Sequence, residues 1–440
     1  MRAREPSSRV RGRSGPRVPA AALRRRPAIA FEWGLDLAAL LFFPLLILAP
    51  RGIAALASVA GLFAAGLILA ANRPLARRHL AVPAALVGAL LIWGTVSAIW
   101  SIDPLRALDL AARLAGLFAA GLALAAAAGE VAAPGRLTGL LVAGFVLGLA
   151  MAAVDLASHG ALSKPFSTRP YEASWLNQAS VAFAILLLPT SAALVGRGRR
   201  AAGVLFAGAA AATILALAGT AAKVALAAGL PAALLCYGWR ARTARAAALL
   251  SVAVVISAPL TFARLERVSD LVATANDVKQ SAGHRLLIWS FVGDRIAEHP
   301  LAGWGLNSSR AIPGGKDLIR PGESWLPLHP HDAPLQLWLE LGVPGAVLMA
   351  LLTAYAWLAL ARAEVPRLYA GAVGGSLACA FVATLATYGI WEEWWQGTLW
   401  FCLFLVLVMA RAAAGFTTGQ HAHRQPPSGQ HPPRQTAAIG

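Results

Sequence analysis

Two short stretches of the sequence combine side chains that could do chemistry together. The first runs Gly283-His284-Arg285 to Trp289, then Pro300-Leu301-Ala302-Gly303-Trp304-Gly305 and Arg310. The second is His329-Pro330-His331-Asp332, followed by nine residues and Gly342-Val343-Pro344-Gly345. A neutral imidazole can accept the proton of an attacking hydroxyl. A guanidinium fork matches two phosphate oxygens. Arg285 falls near the start of a helix expected over 281–298, with Ser281 as its cap. Lys223 stands at the amino-terminal end of an apolar run, where the helix dipole adds roughly half a positive charge. Asp332 is a good helix cap and Pro334 suits a first turn, so His331 should sit on a rigid helix start. The candidate set is therefore His331 as base and Arg285 and Lys223 as phosphate contacts, with Arg310 and His329 as further substrate contacts. Set against this is an ordinary reading: membrane-anchoring cations and surface histidines.

The same residue types argue against other chemistries. No HExxH spacing occurs, and Cys236, Cys379 and Cys402 form no CxxC pair, so neither a metal site nor another cofactor is expected. His421, His423 and His431 are scattered in a Pro- and Gln-rich end and read as solvated. The net charge of +18 would suggest nucleic acid in a soluble protein. Here the cations lie in tails and short loops, with no folded basic domain, so no nucleic-acid partner is expected.

Something must hold the candidate residues at one level, and the composition says what. Of 440 residues, 58% are hydrophobic and only 13% charged, against about 25% in soluble domains. About 20 apolar residues of helix span a bilayer. About twelve such runs occur, near 34–50, 52–71, 80–99, 105–128, 136–157, 176–196, 201–219, 222–238, 246–262, 333–360, 369–388 and 394–411. Residues 1–33 and 412–440 read as disordered cytoplasmic tails flanking a membrane domain over 34–411. Alternate loops hold Arg73, Arg77 and Arg78; Arg136; Arg197, Arg199 and Arg200; Arg240, Arg242 and Arg245; and Arg362 and Arg367. The other set holds only Arg51, Arg106, Lys164 and Arg169, with Lys223 at a span end. By the positive-inside rule both termini are cytoplasmic, and the long polar loop 263–332 lies outside. The expected fold is all-α, polytopic, with that one large loop carrying a helix.

Other polar groups need partners. Asp109 and Arg113, spaced i and i+4, should pair. Glu340, deep in a span, should find a buried hydrogen bond or ion pair. Gly342 and Gly345 should allow close helix packing, with Pro344 kinking the span. Asp36 and Asp155 should reach water at span ends. Trp391, Trp394 and Trp395 should form an interfacial belt. Arg320 could line a headgroup path.

These motifs resemble the bacterial O-antigen ligase and O-antigen or exopolysaccharide polymerase family. Its signature is a His with a small polar neighbour, nine residues and then GxxG, preceded by Arg-x-x-x-Trp and Pro-Leu-x-Gly-x-Gly. Ser97-Ala98-Ile99-Trp100-Ser101-Ile102-Asp103-Pro104, Leu176-Asn177-Gln178 and Thr220-Ala221-Ala222-Lys223 look like further family positions, so the likeness covers about 90–411. Two positions depart: Asp332 replaces the usual Asn, Ser or Gln, and Lys223 a frequent Arg. The resemblance implies a GT-C-like helical membrane enzyme of the bacterial inner membrane with a periplasmic active site. It would be an inverting, metal-independent glycosyltransferase. An undecaprenyl-diphosphate-linked glycan would be the donor, and lipid A-core (ligase) or a growing glycan (polymerase) the acceptor, with membrane lipid around it. A transporter or flippase of a lipid-linked glycan is a more distant alternative, without the internal repeat it would favour.

Overall fold

The computed structural model describes residues 20–71, 78–166, 170–278 and 280–422. The chain is helical almost throughout. In order come α1 (Ala20–Leu48), α2 (Ile53–Ala71), α3 (Arg78–Val96), α4 (Pro104–Ala127), α5 (Pro134–Ala157), α6 (Asn177–Gly196), α7 (Arg200–Ala216) and α8 (Thr220–Thr261). They are followed by α9 (Leu271–Val278), α10 (Gln280–Glu298), a two-stranded hairpin of β1 (Leu318–Arg320) and β2 (Glu323–Ser324), α11 (Ala333–Arg362), α12 (Arg367–Ala386) and α13 (Glu393–Ala422). The strands pair antiparallel, Leu318 with Ser324 and Arg320 with Glu323.

Among the described residues, ten helices are long and apolar enough to cross a membrane. The difference from the expected twelve lies in two places. α7, over Arg200–Ala216, falls short of a full span. α8 runs 42 residues, about 63 Å at 1.5 Å per residue, roughly twice a hydrocarbon core. Its backbone breaks at Trp239 (φ −135°, ψ 48°), between the runs expected at 222–238 and 246–262. A bilayer forbids unsatisfied backbone, so alanine- and leucine-rich segments close all their hydrogen bonds within each helix.

Small residues set the packing. α12 lies against both α8 and α6. At Gly229 an added Cβ would come within 3.0 Å of the Gly375 carbonyl, so two backbones meet there with no room for a side chain. That is the close approach that small-residue helix faces permit. The large core cluster joins α1, α2, α5, α6, α12 and α13 through Phe42, Phe43, Phe145, Phe183, Phe401 and Trp395.

Several expectations are corrected. α1 begins at Ala20, inside the stretch expected as tail, and α13 continues to Ala422, past the expected end at 411. The Ala-, Leu- and Arg-rich flank of α1 is a good helix former and extends its span, and three alanines, Ala412 to Ala414, carry α13 onward. Residues 1–19 and 423–440, with His423 and His431, and the loop cations Arg73, Arg77 and Arg169, lie outside the described residues. Asp36 is buried rather than solvated, and Arg136 donates to it at 2.5 Å. Asp155 is buried too, accepting from the Ser163 hydroxyl and from the Leu162 and Ser163 amides, which ties down the turn after α5. Trp391, Trp394 and Trp395 are buried, not a surface belt.

Candidate functional site

The segment between α8 and α11 is built around α10, and one face of α10 anchors three separate pieces of chain. His284 Nε2 meets the Ser324 carbonyl at 2.9 Å, holding the hairpin. Arg285 donates to the Ala386 carbonyl at 2.5 Å, at the carboxyl end of α12. Trp289 Nε1 donates to the Pro330 carbonyl at 2.9 Å. The i, i+4 spacing of Arg285 and Trp289 places them one above the other, so a single helix face fixes the His329–Asp332 segment against α12. Ser281 is not its cap, because α10 begins at Gln280.

The two histidines are held differently. His331 takes a left-handed backbone conformation (φ 58°), an uncommon choice for a residue with a side chain and a marker of a position over-determined by its surroundings. Its Nδ1 lies 2.7 Å from the Thr387 carbonyl. A carbonyl only accepts, so Nδ1 carries the proton and Nε2 is left with its lone pair. Burial and the Arg285 charge push its conjugate acid down to about 4. It is therefore neutral at physiological pH. The His329 ring lies against it at an interplanar angle of 59°, with ring centroids 4.2 Å apart. Both His329 nitrogens face main-chain donors, the His331 amide at 3.2 Å and the Gly389 amide at 3.1 Å. The neutral ring can accept from one of these amides and a doubly protonated ring from neither, and burial with the neighbouring His331, Arg310 and Arg285 lowers its pKa to about 2.

Asp332 caps α11 as expected, accepting from the Leu335 amide at 2.7 Å. Its other oxygen, Oδ2, is buried without a hydrogen-bond partner among the described residues. Burial pushes its pKa up to about 8, against the smaller opposing effect of the Leu335 bond.

Beside the histidines opens a cleft of about 370 Å³. Its wall carries His329 and Arg310 from the predicted set, but not His331, Arg285 or Lys223, so this cleft does not gather the five. The cleft's other charged groups were not in that set. Arg113 pairs with Asp109 at 2.7 Å, as the i, i+4 spacing suggested, and also with Glu393. Arg310 pairs with Glu392 at 3.3 Å and Arg106 with Asp103 at 3.2 Å. The Asn307 carboxamide lines the cleft with no hydrogen bond to any described residue. Nothing in the local sequence linked Arg113 to Glu393, 280 positions apart.

Under the cleft lies the Glu340 network. Glu340 is fully buried and accepts from the Asn307 amide, the Ser309 hydroxyl, the Gln336 amide at 3.0 Å and Trp391 Nε1 at 2.7 Å. Four donors satisfy a carboxylate that would be costly alone. The neighbouring Gly342 (φ 62°, ψ −153°) interrupts α11, so the GxxG element is a helix break and not a helix–helix seam. The carbonyls this break frees are taken up by the loop of the other motif. Trp304 and Gly305 amides donate to Leu339 and Glu340 at 2.9 and 2.8 Å, and the Val343 amide donates to Pro300 at 3.1 Å. A Cβ on Gly342 would lie 2.4 Å from the Leu301 carbonyl, and one on Gly303 2.4 Å from the Glu340 carbonyl carbon. The 97–104 segment closes the assembly, with the Leu306 amide donating to Ser97 Oγ at 2.9 Å.

Lys223 stands in the first turn of α8, with no carboxylate in ion-pair range among the described residues. Beside that helix start, Asn177 Oδ1 and Ser180 Oγ would lie 3.1 and 3.3 Å from a Cβ on Gly219, and both atoms are buried without a partner among the described residues. Among the described residues, no hydrogen bond or ion pair joins Lys223 to His331 or Arg285. Arg320 pairs with Glu323 across the hairpin at 2.6 Å and is not directed at the cleft.

Comparison with known proteins bears on this geometry. The O-antigen ligase family model matches residues 177–350. Proteins named as candidate polysaccharide ligases are similar: one of Rickettsia conorii is 36% identical over 137 residues, and one of Rickettsia felis 34% over 134. One of Rickettsia prowazekii is 33% identical over 137 residues. Each match covers 29% of this chain and about a third of the relative, 32–33% of its length. No solved structure matches the chain. The family match spans Asn177, Lys223, Arg285, His331 and the break in α11 alike, and over that region the chain is similar to the O-antigen ligase family.

Proposed function

We propose that the chain transfers a glycan from a polyisoprenyl diphosphate, undecaprenyl diphosphate in a bacterial inner membrane, to a saccharide acceptor such as lipid A-core on the periplasmic side. The observation that carries this reading is how the cations are paired. Arg106, Arg113 and Arg310 each face a carboxylate, whereas Arg285 and Lys223 face none among the described residues. A cation without an acidic partner is the kind that can take a dianionic leaving group. Arg285 would hold the diphosphate beside His331, and Lys223, on the helix start of α8, would hold its outer part. His331, neutral and with Nε2 open, would accept the acceptor hydroxyl's proton as that oxygen attacks the anomeric carbon. Attack opposite the departing diphosphate inverts that carbon, and no step requires a metal. The charge-balanced cleft, with Arg–carboxylate pairs and the open Asn307 amide, suits the hydroxyls of an uncharged acceptor sugar.

The test is purified protein with a defined lipid-diphosphate-linked repeat, lipid A-core and a metal chelator. Glycan captured on lipid A-core supports the ligase reading. A ladder of longer lipid-linked chains makes the chain a polymerase instead, and no product of either kind overturns the transfer reading.

A further inference from the structure

A second cavity, of about 220 Å³, lies at the break of α8 and is lined by Cys236, Tyr237, Arg240 and Arg367 among others. It is remote from the site above. Arg240 follows Lys223 by seventeen residues, about 25 Å along a helix, and Arg367 opens α12 whereas Ala386, at the other end, meets Arg285. The cavity therefore belongs to the opposite face of the molecule.

We propose that this cavity binds the phosphate of an anionic phospholipid headgroup from the adjacent leaflet. Three features converge. Two guanidiniums line the cavity and no carboxylate does; Glu364, in the α11–α12 connection, is not part of its wall. Arg240 is poorly satisfied: Nε is buried with no partner among the described residues, and its one bond, to the Val365 carbonyl, is long at 3.4 Å. The first turn of the 20-residue α12 lines the same cavity, adding the positive end of a helix. The break at Trp239 creates the opening, since a continuous helix would carry Arg240 round to another direction.

The surface beside the cavity is that of a lipid site and not of a free-anion site. Tyr237 and Trp239 are more than half exposed there, suited to the headgroup level. Leu234 and Leu230, on the preceding turns of α8, are 73% and 47% exposed and offer an apolar track for acyl chains. Basic pockets between spanning helices are a recurrent solution for phosphate headgroups.

The experiment measures lipid binding to the full chain in detergent by native mass spectrometry, with melting temperature followed in parallel. Phosphatidylglycerol should bind at least about tenfold tighter than phosphatidylcholine and raise the melting temperature. Arg240→Gln and Arg367→Gln should each weaken phosphatidylglycerol about fivefold and together about 25-fold. Arg367 is exposed, so Arg367→Gln is the informative variant if Arg240→Gln fails to fold. Equal binding of the two lipids, wild-type affinity in the Arg367→Gln protein, or equal stabilisation by inorganic phosphate would each overturn the proposal.

Discussion

The pair of histidines shows how little a residue type says without its partners. His329 and His331 are two positions apart, both buried against α12, yet their nitrogens face opposite chemistry. His329 faces main-chain amides at both nitrogens and its neutral ring can accept from one of them, while His331 donates through Nδ1 and keeps Nε2 open. The sequence ranked His331 as the base and His329 as a further contact, but it could not show which ring nitrogens are taken, because the groups that decide it, the Gly389 amide and the Thr387 carbonyl, come from a distant segment. A pH profile reads the difference. With the His331 conjugate acid at about 4, transfer should stay level from pH 8 to about 5.5 and fall only as pH approaches 4. An inflection near 6.5 would mean an unperturbed imidazole. Asp332 gives an independent readout. Its folded pKa of about 8 lies above the ordinary carboxylate value of 3.8, so its neutral form favours the fold. That contribution is complete below about pH 4 and is lost as pH rises through 8. Asp332→Asn keeps the cap and removes the titration. The melting temperature of Asp332→Asn should therefore gain on wild type steadily from pH 5 to 9. A constant gap across that range would place Asp332 outside the buried, uncharged state described.

At the level of elements, the legible part was the helix and the illegible part was its interruption. Hydropathy located the spans, Asp332 and Pro334 marked the start of α11, and the loop helix began within one residue of its expected position. What the sequence concealed was why GxxG accompanies Pro-Leu-x-Gly-x-Gly. The two are one structure: α11 opens at Gly342 and its freed carbonyls are completed by the 304–305 amides. A three-residue spacing of glycines reads equally well as a helix seam, so only the positive φ distinguishes them. The hairpin was missed because its strands are three and two residues long, too short for a period-2 pattern. Gly342→Ala tests the joint. A left-handed backbone costs an alanine roughly 1–2 kcal/mol, and its Cβ must also displace the Leu301 carbonyl. The variant should melt several degrees lower and lose protection of residues 299–306 in hydrogen exchange. Unchanged protection there would separate the two motifs.

For the whole molecule, membrane character was evident from composition alone, and charge asymmetry supplied a topology. The sequence did not disclose how distant segments assemble a cleft, because pairs such as Arg113 with Glu393 depend on which spans are neighbours. Topology can be checked with a membrane-impermeant thiol reagent on a single cysteine at Gly322, in the hairpin turn, with the three native buried cysteines as internal background. Labelling from the periplasm is expected, and labelling only after the membrane is opened would invert the arrangement. The most direct test of the central claim is the initial rate of glycan transfer by His331→Ala. The rate should fall by about 10²–10⁴, with the donor KM within about threefold of wild type because Arg285 and Lys223 remain. Transfer near the wild-type rate would contradict the account.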